Sequence, residues 1–151
     1  LKDLIDGELK TFTYGESIAC TQLNHCLYEI ENNIPFDKSK LGMKMEQTIY
    51  IGFSKDNNYI GSTTLNKNTH KYHYIHMEED YNFISNIIRN NILNKTTLKT
   101  ITGPNKLLQI RTKASKINGL YKPLIYKGHE LKNKYMAFYL CSNFGKKLFN
   151  H

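Results

Sequence analysis

The chain has 151 residues, 40% of them hydrophobic, and 21 Lys and Arg against 13 Asp and Glu, a formal charge of +8. That length makes a single domain, residues 1–151, with a sizeable core. The absence of an apolar run near about 18 residues excludes a membrane-spanning helix. The positive balance favours a polyanionic partner, since each neutralised phosphate releases counterions. An AT-rich genome would also enrich Lys, Asn, Ile and Tyr together. The charges fall unevenly: from Lys95 onward, Glu130 is the only acidic residue.

The chain opens at Leu1, without Met and without a visible signal peptide. The expectation is a fragment of something longer, with an N-terminal part missing. Residues 7 to 14 read as a strand containing Glu8-Leu9-Lys10. In an extended backbone Glu8 and Lys10 share a face and Leu9 turns the other way, into a core. A carboxylate beside an ammonium suits phosphodiester hydrolysis. The carboxylate holds Mg²⁺ through oxygen, the metal activates water, and the lysine stabilises charge on the phosphate. E-x-K alone is also the pattern of a solvated strand face.

Ser17 to Ile30 mixes β-branched and small residues and reads as a strand leading into a helix, broken by Asn32-Asn33-Ile34-Pro35. Three cysteines, Cys20, Cys26 and Cys141, form no C-x-x-C pair. They read as small buried residues of a reduced, cytoplasmic protein. Thr48 to Phe53 is a strand, Lys55 to Asn58 a turn, and Tyr59 to Thr64 its hairpin partner. Tyr72 to His76 alternates as a further strand, which would throw His73 to the face opposite His70 and His76 and argues against a shared metal. Met77 to Asn94 is the best helix. Glu78, Glu79 and Asp80 stand at its start, where the dipole favours negative charge, and Tyr81, Ile84, Ile88 and Ile92 recur at spacings of three and four. Gly103-Pro104-Asn105 is a turn, Lys106 to Thr112 a strand, Ala137 to Leu140 a short strand, and Asn143 to Phe149 a closing helix or turn. The pattern is mixed α+β with one sheet.

Two late stretches go beyond composition. Leu108-Gln109-Ile110-Arg111-Thr112-Lys113-Ala114 resembles the L-Q-I-R-P-K-A segment of the MutH/Sau-type endonucleases. Ala137-Phe138-Tyr139-Leu140-Cys141-Ser142-Asn143-Phe144 resembles their G-F-Y-L-K-K-N-F segment, at a similar interval. Glu8-Leu9-Lys10-Thr11 is similar to the E-L-K-T of that family's active site, and Lys44, four residues before Thr48, is similar in placement to its second active-site lysine. The matches run in order along most of the chain.

The resemblance implies a restriction-endonuclease-like (MutH-like) mixed sheet flanked by helices, lacking part of the N-terminal arm, in the PD-(D/E)XK nuclease superfamily. It implies a type II restriction endonuclease that hydrolyses double-stranded DNA at GATC with Mg²⁺. Glu8 is then a metal ligand, Lys10 the motif lysine, and Lys44 a second lysine near the scissile phosphate. Arg111, Thr112 and Lys113 would form the base-reading loop, where Arg and Lys are the usual donors to guanine. Tyr139 would sense the adenine position. The family's motif aspartate would fall at Leu1; Asp6, on the Glu8 face of the strand, is the available substitute ligand. Thr112 replaces the loop's proline. The alternative is a catalytically inactive, DNA-binding copy of the same fold within a larger restriction enzyme. Either form leaves room for a homodimer or a second copy of the fold on DNA. Thr48-Ile49-Tyr50 and Tyr59-Ile60-Gly61 also resemble the tyrosine stretches of GIY-YIG nucleases. However, the first glycine is missing, the interval is short, and Arg89 is the only candidate for that family's arginine.

Overall fold

A computed structural model describes residues 8–68, 70–94, 99–112, 124–127, 129–131, 136–142, 144–145 and 147. Strand β1 (Glu8–Thr13) is followed by β2 (Ile18–Gln22), a 3₁₀ turn at Leu23–His25, α1 (Leu27–Glu31), a 3₁₀ turn at Phe36–Lys38 and α2 (Lys40–Glu46). Then come β3 (Thr48–Phe53), β4 (Tyr59–Thr64) and α3 (Lys71–Asn94). The remaining strands are β5 (Ile101–Thr102), β6 (Leu108–Thr112), β7 (Leu124–Tyr126), β8 (His129–Leu131) and β9 (Met136–Leu140). The fold is α+β, with mixed sheets flanked by helices.

The expected single sheet is divided. Among the described residues, β1-β3-β4 form a mixed sheet, β2-β9-β6-β5 an antiparallel one, and β7-β8 a hairpin. β1 runs parallel to β3, with Glu8 opposite Thr48 and Lys10 opposite Tyr50. A parallel pair needs a crossover, and here the crossover carries β2, α1 and α2. Thus β1 and β2, neighbours in sequence, part into different sheets over one shared core. That core includes Phe12 and Tyr50 from the first sheet and Ile18, Ile110 and Phe138 from the second.

On β1 the core-facing side is that of Glu8, Lys10 and Phe12, not that of Leu9. Phe12 is buried, whereas Leu9 is 37% exposed, so the expected burial of Leu9 is corrected. Its β3 neighbours Ile49, Ile51 and Phe53 are likewise only partly buried, while Thr48, Tyr50 and Gly52 alternate inward.

Helix α2 had no counterpart in the expected elements. Ser39 caps it: its hydroxyl accepts from the Gly42 N–H at 3.0 Å and donates to the Phe36 carbonyl at 2.6 Å. Leu41 and Met45, four apart, bury one face.

The expected strand over Tyr72–His76 is instead the start of α3, which begins at Lys71 rather than Met77. The buried residues Tyr74, Met77, Tyr81, Ile84 and Ile88 form one continuous stripe at spacings of three and four. Alternating Tyr and His mimicked a strand, but burial of this stripe outweighs local β-propensity. Glu78, Glu79 and Asp80 therefore lie inside the helix and not at its start. His70 and His73 come near one another, with rings 6.4 Å apart, and Tyr72 meets His76 edge-on at 4.1 Å. No described helix is long and apolar enough to cross a membrane.

Candidate active site

Where β1 and β2 diverge, α2 covers the gap and leaves a cleft of about 130 Å³. Glu8 and Lys10 from β1, Lys44 from α2 and Cys20 from β2 all line it. The backbone explains the meeting. The Glu8 N–H donates to the Gln47 carbonyl at 3.0 Å, and the Thr48 hydroxyl donates to the Lys44 carbonyl at 2.6 Å. The first bond ties the start of β1 to the residue that caps α2, and the second ties the start of β3 to the last turn of α2. The Lys44 ammonium donates to the Cys20 carbonyl at 2.9 Å and stands 3.9 Å from the Glu8 carboxylate.

The Glu8 and Lys44 side chains are 36% and 45% exposed. An ion pair this long and this wet contributes at most about 1 kcal/mol. The grouping is therefore poorly explained as a device for stability. It leaves carboxylate oxygens facing the cleft, with two ammonium groups on its walls.

Cys20 sits at a bulge, since the β2–β9 register shifts between Ala19 and Thr21. Burial pushes its thiol up to about 11; the Leu140 backbone and the charges of Lys44 and Lys10 pull the other way. Burial likewise holds Cys141 at about 11 and Cys26 at about 12, and it raises the Tyr50 phenol well above the ordinary range. Unfolded thiols lose their protons near 9.0, while the folded ones keep theirs to about 11. In that window the folded state binds more protons, so stability falls as pH rises. The melting temperature under reducing conditions is expected to decline steadily from pH 9.0 towards about 11. A flat profile across that range would show that thiol burial does not matter to stability.

Beside the cleft, Ala19 both lines it and lies opposite Tyr139 in the β2–β9 ladder. Alternation correctly sets Tyr139 on the face away from Phe138 and Leu140. It is nonetheless only 8% exposed, because the Arg111 guanidinium lies over its ring at 4.0 Å. Arg111 also donates to the Ser17 hydroxyl at 2.9 Å. Thr112 ends β6 opposite Met136 and is partly exposed. Asp6 and Lys113 lie outside the described residues.

The structure thus brings Glu8, Lys10 and Lys44 to one cleft and pairs Arg111 with Tyr139 next to it. Sequence reasoning missed Ser17 and the cleft-lining position of Cys20, which it read only as a small buried residue. No local pattern announces Ser17, whose partner lies in a distant strand. No family model, curated protein or solved structure matches this chain.

Proposed function

We propose that the chain is a Mg²⁺-dependent, sequence-specific DNA endonuclease of restriction-endonuclease-like fold, a type II restriction enzyme of the MutH/Sau type acting at GATC. The observation that carries this reading is the convergence of Glu8, Lys10 and Lys44 on one open cleft from two separate elements. The adjoining Arg111–Tyr139 pair supplies a cation and an aromatic ring beside that cleft.

The donors suit magnesium. It is a hard cation that takes one or two carboxylates and keeps several waters, and Glu8 offers an oxygen donor on the wall of a water-accessible cleft. Glu8, with Asp6 as the second candidate, would hold the ion. When bound, it polarises the phosphoryl oxygen and lowers the pKa of a water. Lys10 and Lys44 draw the scissile phosphate into the cleft and stabilise the negative charge that builds on it. The Cys20 carbonyl fixes where the Lys44 ammonium sits. Arg111 reaches a base or phosphate by leaving Ser17, which would uncover Tyr139.

One observation favours the inactive DNA-binding copy: among the described residues lining the cleft, Glu8 is the one carboxylate. The test is cleavage of a GATC duplex and a scrambled duplex, each with Mg²⁺ or with a chelator, beside a salt titration of binding to both. Cutting of the GATC duplex only, and only with Mg²⁺, is expected. Preferential binding without cutting selects the inactive copy, and equal weak binding to both duplexes rejects both readings.

A further inference from the structure

The sheet β1-β3-β4 turns one face to the core and the other outward. Strand register fixes which side chains share the outward face. Leu9, Thr11 and Thr13 of β1 stand opposite Ile49, Ile51 and Phe53 of β3. On the other flank of β3, Ile49 meets Thr64, Ile51 meets Ser62 and, past a shift in register, Phe53 meets Tyr59. The result is a three-by-three patch of nine side chains, none of them charged. The surfaces of soluble domains are about a quarter to a third charged, so an uncharged patch of this size on so basic a chain needs a reason.

The patch is open to solvent. Leu9 is 37% exposed and Tyr59 62%; Thr11 and Ser62 are exposed, and Ile49, Ile51 and Phe53 are half-buried. The Phe53 and Tyr59 rings meet edge-on at 6.3 Å, and the Tyr59 hydroxyl donates to the Ser62 hydroxyl at 3.0 Å. That corner is already ordered and its hydroxyls are paired, which lowers the cost of taking it out of water. A face of β-branched and aromatic side chains is what a second sheet packs on, about 10 Å away.

Charge selects the occupant. A nucleic acid finds no cation on this face, and an acidic or basic peptide finds no countercharge. Two copies of a chain of net charge +8 repel one another, and they meet at least cost where the contact buries no lysine. We propose that this face packs, sheet on sheet, against the same face of a second copy of the chain across a two-fold axis. A two-fold contact needs one self-complementary patch, and an uncharged patch meets itself without setting like charges together. Glu8 and Lys10 alternate to the other side of β1, so each copy keeps its cleft open. Nothing in this proposal depends on DNA cleavage. Nine residues a side is fewer than the about 20–30 of a standard interface, so a weak dimer is expected, with a dissociation constant on the order of 100 µM.

Sedimentation equilibrium of the whole chain without DNA, at concentrations on either side of that value and in low and high sodium chloride, tests this. A monomer–dimer equilibrium that tightens with salt is expected, because salt screens the repulsion between two positive copies and the contact has no ion pair to weaken. Thr11→Lys and Ser62→Lys flank Ile51 in the middle row at exposed positions. Each is expected to weaken the dimer at least about tenfold while melting like the parent in dilute solution. Met43→Lys adds the same charge at an exposed site on α2 and is expected to leave the dimer within about twofold of the parent. A monomer at every concentration gives the face to a different partner and overturns the proposal. So does a dimer that weakens with salt, or one that Thr11→Lys and Ser62→Lys leave as tight as Met43→Lys does.

Discussion

Glu8→Ala is expected to lower the rate of DNA cleavage by at least about a thousandfold while leaving duplex binding in place. The size follows from what the carboxylate would hold. Metal-assisted charge stabilisation is worth several kcal/mol in the transition state, and each 1.4 kcal/mol is about tenfold in rate. Duplex affinity measured without divalent ion is expected to rise slightly, because the substitution removes a negative charge from beside two lysines.

The fold should tolerate the change. Glu8 is partly exposed and its ion pair with Lys44 is long, so stability is expected to move by less than about 1 kcal/mol. The N–H of residue 8 still donates to the Gln47 carbonyl, since that bond needs no side chain. Cleavage of supercoiled and linear GATC-containing DNA, filter binding and a thermal melt together read the result. A variant that melts and binds like the parent and also cuts like it places the chemistry elsewhere. If the parent binds the duplex without cutting, Glu8 is a remnant and the inactive-copy reading stands.

How much of this was legible in the sequence differs from element to element. β1, β3 and β4 could be read because period-two patterning and a four-residue turn are local signals. The Glu8–Lys10 face could be read for the same reason. Which side of β1 met the core could not: Phe12 decided it, and its packing partners come from other elements. Helix α2 is short and its cap signal, Ser39, is a single residue, so only tertiary contact reveals it. The first turns of α3 were misread because aromatic residues fit a pleated surface as well as a helix. The division into separate sheets depends on β2 pairing with β9 across most of the chain, which no local window contains. Lys44 came from resemblance rather than from pattern, and the Gln47–Glu8 and Thr48–Lys44 bonds account for its place beside Glu8.

Asp80→Ala is expected to destabilise the fold by about 4 kcal/mol, lowering the melting temperature by roughly 10 °C. Asp80 is fully buried. Its Oδ1 accepts the Asn105 N–H at 2.8 Å, and its Oδ2 accepts the Leu107 and Leu108 N–H groups at 2.8 and 3.1 Å. Asn105 also returns a side-chain bond to the His76 carbonyl at 3.0 Å. The carboxylate therefore clamps α3 to the turn between β5 and β6. A Cβ on Gly103 would fall 2.2 Å from the Asp80 carboxyl carbon, so the turn closes tightly over it. Alanine leaves the buried Leu107 and Leu108 N–H groups and the part-buried Asn105 N–H with no acceptor from residue 80. Asp80→Asn separates charge from shape. Its oxygen can keep the two bonds to Leu107 and Leu108, but its amide nitrogen then faces the Asn105 N–H, donor against donor, for a loss of about 2 kcal/mol. Urea unfolding of both variants measures this. β6 continues from this turn to Arg111, so loosening the clamp also loosens the strand that positions the guanidinium, and sequence preference on DNA should weaken in Asp80→Asn before the fold fails. If both variants unfold with the parent, the turn is held by Gly103 and the strand ladder alone. If only Asp80→Ala is affected, the clamp works by shape and by the two bonds to Leu107 and Leu108 rather than by charge.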